Sequence, residues 1–385
     1  MLYKSFLLSF ALSVYSLLLV PKPHVLNIID IEEFNNEHDI YEFAKINDFR
    51  VYKTESTNYL NTLDNLFYVE EEQKYTISFL DQVYYNFLEN VDVFEVTDSP
   101  LPWHLGRIVN RDLPLNDSFT YFNCNTNNDI IVNNIVIDTG IDINHPEFEG
   151  RATWLGNYVD DDDRDGNSHG THCAGLIGSK TFGVCKDAHL FAIKVLGSDG
   201  SGSTSSVIAG IEAAYKHHVN QKYFYKSKVV KTVISMSLGG GKSNVLDKAV
   251  KATLKDPNFY FAAAAGNENS DACETSPAGV KEIFTVMASD KNDNRAYFSN
   301  YGRCADIYGP GVNIESTIPR GRTAVYSGTS QATPILVGVL THYLNMYPEL
   351  DMKGLKEKIL SDSTKNHINR NPSSTNNLLV YLNRQ

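Results

Sequence analysis

The sequence predicts an α/β fold in which helices cover both faces of a mostly parallel sheet. Short apolar runs typical of buried strands recur along the chain, at residues 130–138, 189–196, 232–238 and 259–266. Between them, two segments carry apolar residues at helical spacing, 205–218 and 244–256. Strands that alternate with helices favour a parallel sheet buried on both sides. Ligands of such sheets bind at the carboxyl ends of the strands, so polar and glycine-rich segments that follow a strand are candidates for function.

Composition and charge predict the domain organisation. The chain has 385 residues, of which 42% are hydrophobic, enough for one large core and a smaller unit. Residues 21–98 hold 17 acidic against 5 basic side chains, a balance that equals the net charge of −12 of the whole chain. We therefore expect an acidic unit over 21–98 ahead of a larger domain over 99–385. The sequence lacks a basic patch of the kind that binds nucleic acid, so nucleic acid is not an expected partner.

The N-terminus predicts export. A cationic start is followed by a run of 16 mostly apolar residues, SFLLSFALSVYSLLLV. This pattern is typical of a signal peptide, which we expect over residues 1–20, and it predicts a secreted or extracellular protein. An uncleaved signal anchor is the alternative, although the run is shorter than the roughly 20 residues of a spanning helix. The sequon Asn116-Asp117-Ser118 is a candidate glycan site in that compartment.

Three segments carry residues suited to nucleophilic catalysis. Asp138 ends the first predicted strand, His169 lies among small residues in DGNSHGTHCAG (165–175), and Ser330 begins the apolar helix of YSGTSQATPILVGVLTHYL (326–344). Backbone N–H groups in the first turn of a helix favour a developing negative charge. Taken alone, these residues also fit a turn aspartate, a surface or zinc-binding histidine paired with His172, and a helix cap.

Their combination points to one chemistry. A serine hydroxyl becomes a good nucleophile when an imidazole takes its proton, and that imidazole needs a carboxylate to fix its tautomer. The chain supplies all three groups, in the order Asp, His, Ser. This order is that of one of the three unrelated serine hydrolase arrangements.

Five motifs together resemble those of the subtilisin-like serine proteases: VIDTGI, HGTHCAG, SMSLGGG, AAAAGNEN and SGTSQATP. Their wording, with WHLGRI (103–108), is most similar to the fungal proteinase K and cerevisin branch, and the resemblance covers roughly residues 100–385. It implies a three-layer subtilisin-like fold and a serine endopeptidase. Asp138 is then the orienting carboxylate, His169 the general base and acid, and Ser330 the nucleophile. Asn267 is the side chain that stabilises the oxyanion.

The resemblance also implies how a substrate binds. Two backbone segments are expected to flank it as extended strands, Gly200-Ser201-Gly202 and Ser237-Leu238-Gly239. The small neutral residues of SLGGG and AAAAGN predict broad or apolar specificity toward protein or peptide substrates. A dibasic-specific processing protease is the alternative, and it would need an acidic pocket. We expect a monomer that needs no cofactor for catalysis.

The acidic unit stands where this family carries an inhibitory prosegment. The resemblance implies a small α+β unit over 21–98 that inhibits its own catalytic domain and is removed by self-cleavage. The cleavage point is expected within residues 92–101, where VFEVTD (93–98) resembles a prosegment end. Protonation of acidic groups, His24 or His38 is a hypothesis for its release.

Calcium and cysteine sites complete the predictions. The spacing of DDDRDG (161–166) is that of an EF-hand, but the twelfth position is His172 rather than Glu, so an EF-hand fails. A loosely bound calcium ion on that loop stays an open possibility, and the resemblance implies a different structural calcium site, at Asp306 with carbonyls near Lys281 and Ile283.

The resemblance also implies a disulfide, Cys273–Cys304, and a buried inert thiol at Cys173. The pairing of Cys124 and Cys185 stays undecided.

Two positions depart from the family pattern. Gln331 stands where a methionine is usual, and Ile335 stands where a histidine is usual. Neither supplies a catalytic group in the family scheme, so we expect altered packing near Ser330 and retained activity. The competing function is a catalytically silent secreted binding or coat protein with the same fold.

Overall fold

A computed structural model describes residues 16–22, 40–55, 67–77, 102–115, 124 and 127–383, and the chain divides into two compact units. The smaller unit ends at Glu72 and excludes residues 46–49, which belong with residues 73–385 in the larger unit. The predicted domain boundary at residue 98 lies outside the described residues. So do the sequon, His24, His38 and the expected cleavage region at 92–101.

The smaller unit contains a four-stranded sheet in the order β2-β3-β1-β4. Its strands are β1 (Leu17–Pro21), β2 (Tyr41–Ile46), β3 (Phe49–Thr54) and β4 (Phe67–Glu71). Strand β1 pairs antiparallel with both β3 and β4, and Leu17 and Leu19 pack in the core of this unit. Strand β1 overlaps the end of the signal peptide predicted over 1–20, which stays a prediction.

A nine-stranded sheet forms the centre of the larger unit, in the order β18-β19-β15-β14-β12-β10-β6-β8-β7. All neighbours are parallel except β18 and β19. The strands are β6 (Ile130–Asp138), β7 (Ala152–Asn157), β8 (His189–Lys194), β10 (Val229–Met236), β12 (Phe259–Ala264), β14 (Phe284–Ser289), β15 (Ile307–Pro310), β18 (Thr364–Lys365) and β19 (Leu378–Leu379). Most side chains of β6, β10 and β12 are apolar, and these strands are buried along almost their whole length.

Helices form the two outer layers. They are α1 (Trp103–Val109), α2 (His169–Gly178), α3 (Thr204–Phe224), α4 (Asn244–Thr253), α5 (Thr329–Met346) and α6 (Met352–Asp362). Helix α2 packs against α5, and α3 packs against α4. The sheet between these two pairs gives the predicted three-layer α/β fold. Within the described ranges, no helix combines the length and apolar character needed to cross a membrane.

Short strand pairs complete the described part of the larger unit. They are β5 (Lys74–Thr76) with β9 (Ser201–Ser203), β11 (Gly240–Gly241) with β13 (Thr275–Ser276), and β16 (Ile314–Ile318) with β17 (Arg322–Tyr326). All three pairs are antiparallel. Strands β9 and β11 lie in or beside the two segments expected to hold a substrate.

Candidate active site

Asp138 is the last residue of β6, near the middle of the large sheet. Its side chain is fully buried, and its Oδ1 accepts a hydrogen bond from the backbone N–H of Thr139 at 2.7 Å. Gly140 follows with φ of +107°, a conformation that L side chains rarely adopt. The strand end and the glycine turn together fix the carboxylate at the carboxyl edge of the sheet.

His169 begins α2 and reaches Asp138. Its Nδ1 lies 2.8 Å from Asp138 Oδ1, and both side chains are buried. The residue before it, Ser168, has φ of +87°, which is a strained conformation for a residue with a Cβ. Asp165 holds this turn, because its Oδ1 accepts from the Ser168 N–H at 2.8 Å.

The close approach of α2 to the strand end requires glycine at position 170. A Cβ there would lie 2.1 Å from the carbonyl oxygen of Gly140. The glycine of HGTH therefore lets the helix touch the turn after Asp138, and this contact sets the distance between Asp138 and His169.

His172 has a different role. Its ring is buried, stacks on Tyr326 and lies 3.1 Å through Nε2 from the carbonyl oxygens of Ile314 and Ala324. Burial, with His169 nearby, lowers the pKa of His172 to about 3. His172 therefore packs α2 against β16 and β17 as a neutral side chain.

Ser330 lies in the first turn of α5, directly after Thr329. Its Oγ donates to the carbonyl oxygen of Ser237 at 3.0 Å, and the Ser237 hydroxyl donates to the Ser330 carbonyl at 2.8 Å. These reciprocal bonds join the start of α5 to the segment after β10. The Ser330 hydroxyl is thereby held at the carboxyl edge of the sheet, next to the free backbone N–H groups in the first turn of α5.

Asn267 follows β12 and is oriented by the residue next to Ser330. Its Oδ1 accepts from the Thr329 N–H at 2.9 Å and from the Thr329 hydroxyl at 3.0 Å. Because the amide oxygen accepts these two hydrogen bonds, the amide NH₂ group is the end of Asn267 that faces other partners. A rigid amide donor beside a serine at a helix start is the arrangement of an oxyanion hole.

A pocket of about 330 Å³ opens beside Ser330. Most of its lining is small and neutral, and comes from Ser237, Leu238, Gly239, Gly240, Gly241, Ala264, Ala265 and Gly266. Glu268 also lines it, with its carboxylate 2.8 Å from the Asn300 amide nitrogen. The sequence analysis predicted only neutral residues in this pocket and missed Glu268, which directly follows Gly266-Asn267 in the AAAAGNEN motif.

Four of the five cysteines form disulfides, whereas Cys173 is a free thiol. Two disulfides join Cys124 with Cys185 and Cys273 with Cys304, the second being the pair that the resemblance implied. Cys173 is the buried free thiol, with Sγ 3.9 Å from His169 Nδ1. Burial raises the pKa of this thiol, which disfavours the reactive thiolate.

The expected calcium site at Asp306 does not fit a metal ion in this structure. The oxygens in question converge on a lysine, because Lys356 Nζ lies 2.8 Å from both Asp306 Oδ2 and the Lys281 carbonyl and also donates to the Ile283 carbonyl. An ammonium in this position supplies the positive charge and repels a second cation. Asp306 is therefore paired with a side chain, contrary to the expectation.

The parallel α/β fold and the contact between His169 and Asp138 at the edge of its sheet agree with one class of protein, the serine endopeptidases. The sequence profile of the subtilase family matches residues 132–378, and the chain belongs to this family.

Relatives support the same class. The chain is 45% identical over 311 residues to a subtilisin-like serine protease of Rhodotorula mucilaginosa, covering 77% of this chain and 90% of that protein. It is 42% identical over 315 residues to cerevisin of Saccharomyces cerevisiae, covering 77% of this chain and 49% of cerevisin. Among solved structures, a cold-adapted subtilisin-like serine proteinase matches with a TM-score of 0.67 and 37% identity. That match covers 74% of this chain and all of the other.

Proposed function

We propose that the protein is a secreted, self-processed endopeptidase that hydrolyses peptide bonds through an acyl-enzyme on Ser330. In this scheme His169 is the general base and acid, Asp138 orients it, and Asn267 donates to the oxyanion. The single observation that carries the proposal is the 2.8 Å contact between His169 and Asp138, at the sheet edge where the first turn of α5 carries Ser330. The enzyme acts as a monomer and needs no metal in the chemical step.

The first step is proton removal from Ser330. With Nδ1–H of His169 donated to Asp138, the proton-free nitrogen is Nε2, which is the tautomer a general base requires. The resting hydroxyl donates to the Ser237 carbonyl, so a rotation about the side chain is needed before it donates to Nε2. Oγ then attacks the scissile carbonyl carbon while its proton passes to His169.

The oxyanion forms beside Asn267 and the first turn of α5. Asn267 NH₂ and the Ser330 backbone N–H are the proposed donors, because the Thr329 bonds to Asn267 Oδ1 fix the amide beforehand. His169 returns its proton to the leaving amine as the C–N bond breaks. A water molecule, activated by the same imidazole, then hydrolyses the ester and restores Ser330.

Specificity follows from the pocket beside Ser330. Its glycine and alanine walls suit apolar side chains, and the Glu268 carboxylate adds a partner for a long basic side chain. We therefore propose broad specificity in place of a dibasic requirement. Export agrees with the two disulfides, since such bonds persist in oxidising compartments.

Hydrolysis of a denatured, fluorescently labelled protein tests this function. Wild-type enzyme is expected to digest it, Ser330→Ala to leave it intact, and Ser361→Ala on the exposed part of α6 to digest it as wild type does. Digestion by Ser330→Ala would refute the assigned nucleophile. A folded, exported wild-type protein with no hydrolysis would favour the silent binding or coat protein.

A further inference from the structure

The C-terminal end of α3 exposes a group of large apolar side chains. Tyr223 and Phe224 are the last two residues of the helix and are 75% and 76% exposed. Val219 lies one turn earlier on the face of Tyr223 and is 44% exposed, and Val229, which begins β10, is 42% exposed. Single exposed apolar side chains are common, whereas a group of them marks an interaction surface. Residues 219–229 are called the α3 patch below.

The aromatic rings of the α3 patch lie against each other and against a lysine. The rings of Phe224 and Tyr225 meet edge to face, with centroids 4.8 Å apart. Lys226 Nζ lies 4.6 Å from the centroid of the Tyr223 ring. The Lys228 N–H donates to the Tyr225 carbonyl at 3.0 Å, which closes a turn after the helix. This turn places the rings and both lysines at the same end of α3.

The α3 patch carries positive charge on an acidic protein. Residues 216–231 contain five lysines and neither Asp nor Glu, although the net charge of the whole chain is −12. Lys226 and Lys228 are exposed, and within the described ranges neither forms an ion pair. Their charge is therefore available to a partner of opposite charge.

The acidic residues that contact the α3 patch leave its charge positive. Asp256 Oδ2 lies 2.7 Å from Lys222 Nζ, so these two charges neutralise each other. Asp129 is exposed, and its backbone carbonyl accepts from the Val229 N–H at 2.8 Å. One exposed carboxylate thus faces the two unpaired lysines of the patch.

The α3 patch lies at the edge of the large sheet opposite the active site. Val229, the first residue of β10, pairs with Ile130, the first residue of β6. Asp138 is the last residue of β6, and a strand rises about 3.3 Å per residue, so the two ends of β6 are roughly 26 Å apart. A partner bound at the patch therefore leaves the carboxyl edge, with Asp138 and His169, open to solvent.

We propose that the α3 patch binds an anionic phospholipid surface and holds the protein there peripherally. Aromatic side chains favour the boundary between headgroups and acyl chains, and lysines attract anionic headgroups. Shallow insertion of the rings and this attraction act together, as stable peripheral binding requires two such contributions.

The same observations favour lipid over nucleic acid. Nonspecific binding to nucleic acid depends on the number of phosphates that basic side chains neutralise. Two unpaired lysines, Lys226 and Lys228, supply few such contacts. The exposed side chains of Val219 and Val229 gain nothing from a phosphate backbone, whereas a bilayer removes them from water.

Vesicle sedimentation of the full chain tests the proposal. The parent is Ser330→Ala, so that binding is measured without hydrolysis, and the vesicles contain phosphatidylcholine and phosphatidylserine. We expect the parent to bind and Tyr223→Ser with Phe224→Ser to bind about tenfold or more weakly. Tyr297→Ser is the matched control, because Tyr297 is also 75% exposed but lies outside the patch. No binding by the parent, or equal binding by the parent and the double variant, overturns the proposal.

Lysine variants test the contribution of charge. Lys226→Gln with Lys228→Gln should bind the mixed vesicles about tenfold or more weakly and should bind pure phosphatidylcholine vesicles as the parent does. Lys291→Gln with Lys353→Gln removes two exposed lysines elsewhere and should leave binding to the mixed vesicles unchanged. Because every variant keeps the same apolar N-terminus, these differences report on the patch. Unchanged binding of Lys226→Gln with Lys228→Gln to the mixed vesicles would contradict the anionic partner.

Tryptophan fluorescence locates the contact. Emission from Phe224→Trp should shift to shorter wavelength when the mixed vesicles are added, and emission from Tyr297→Trp should not, since only the first ring enters the bilayer. Equal shifts in both variants would place the contact elsewhere and overturn the assignment.

Two further results would replace the lipid partner. Tighter binding to a single-stranded oligonucleotide than to the mixed vesicles would assign the patch to nucleic acid. Dimers that form without lipid and are lost in Tyr223→Ser with Phe224→Ser would assign it to a second copy of the chain. With Ser330 intact, the vesicles should leave hydrolysis of a soluble peptide unchanged, because the cleft lies at the opposite edge. Hydrolysis lost on vesicle binding would overturn this orientation, whereas an inactive protein that binds the vesicles would overturn the proposed hydrolysis alone.

Discussion

The ammonium of Lys356 lies 2.8 Å from the carboxylate of Asp306, and the same nitrogen donates to the carbonyls of Lys281 and Ile283. Both charged side chains are mostly buried. A cation of the protein itself therefore neutralises the three oxygens that the resemblance assigned to calcium. Helix α6, which carries Lys356, is tied to the segment before β14 by this contact.

Stability without calcium is the first prediction. In the Ser330→Ala background, chelation is expected to leave the unfolding free energy unchanged. Lys356→Ala should lower it by about 3 kcal/mol, since it leaves a buried carboxylate unpaired, and added calcium should restore part of the loss. Lys353→Ala, on the exposed face of α6, is the matched control. Stability lost from the parent on chelation, with no calcium response in Lys356→Ala, would contradict this role.

Asn267 provides the second prediction. Asn267→Asp keeps the oxygen that accepts from Thr329 but loses the NH₂ donor, whereas Asn267→Leu loses both. Both variants should lose about 10²–10³ in kcat with KM little changed, because the donor acts on the transition state. Steady-state kinetics on a peptide substrate measure this. Full activity in Asn267→Asp would assign the residue a purely structural role.

The third prediction concerns Gln331, next to the nucleophile. Its side chain is fully buried, and within the described part of the chain neither amide atom has a hydrogen-bond partner. An unsatisfied buried amide costs about 1–3 kcal/mol, so Gln331→Met should raise the unfolding free energy while activity is retained. Denaturant unfolding in the Ser330→Ala background measures the free energy, with Gln221→Met on α3 as the control, and peptide hydrolysis by Gln331→Met with Ser330 intact measures the activity. A destabilised Gln331→Met would show that the amide is needed.

Periodicity and motif order predicted the catalytic domain well. Apolar runs gave the four central strands, and β6 has the predicted bounds, 130–138. These signals are local, since a buried parallel strand is a short apolar run and the strand-end motifs follow it directly. The helix predicted over 205–218 extends in the structure to Thr204–Phe224. Its last six residues, VNQKYF, are mostly exposed and do not continue the buried apolar face, so the apolar spacing did not reveal them.

Contacts between residues that are far apart in the sequence could not be predicted from local sequence patterns. Lys356 stands 50 positions after Asp306, and nothing local marks it as that residue's partner. The KYT sequence of β5 is three residues long and has no apolar alternation, so only its pairing with β9 identifies it as a strand. Both features depend on elements that meet in the folded chain.

Two buried histidines, His104 and His172, should make the protein sensitive to acid. His104 Nε2 lies 2.9 Å from the Phe182 carbonyl, and burial, with Lys186 nearby, lowers the pKa of His104 to about 4. The pKa of His172 is lowered to about 3 for the same main reason, burial. Both values lie below the roughly 6.5 of an unfolded histidine. Below pH 6.5 the folded state therefore binds fewer protons than the unfolded state. The contribution of these histidines to the free energy of unfolding is fully present above pH 6.5 and is lost as the pH falls toward 4 and 3.

The fourth prediction follows from the lowered pKa values of His104 and His172. Between pH 7 and pH 5 the unfolding free energy should fall by about 2 kcal/mol for each of the two histidines. Denaturant unfolding of the Ser330→Ala variant, which cannot digest itself, measures this without proteolysis. His104→Gln keeps an amide donor for the Phe182 carbonyl and removes one titrating group, so its loss over the same interval should be smaller by about 2 kcal/mol. An unchanged pH dependence in His104→Gln would mean that His104 does not titrate on unfolding, and acid lability would then have another origin.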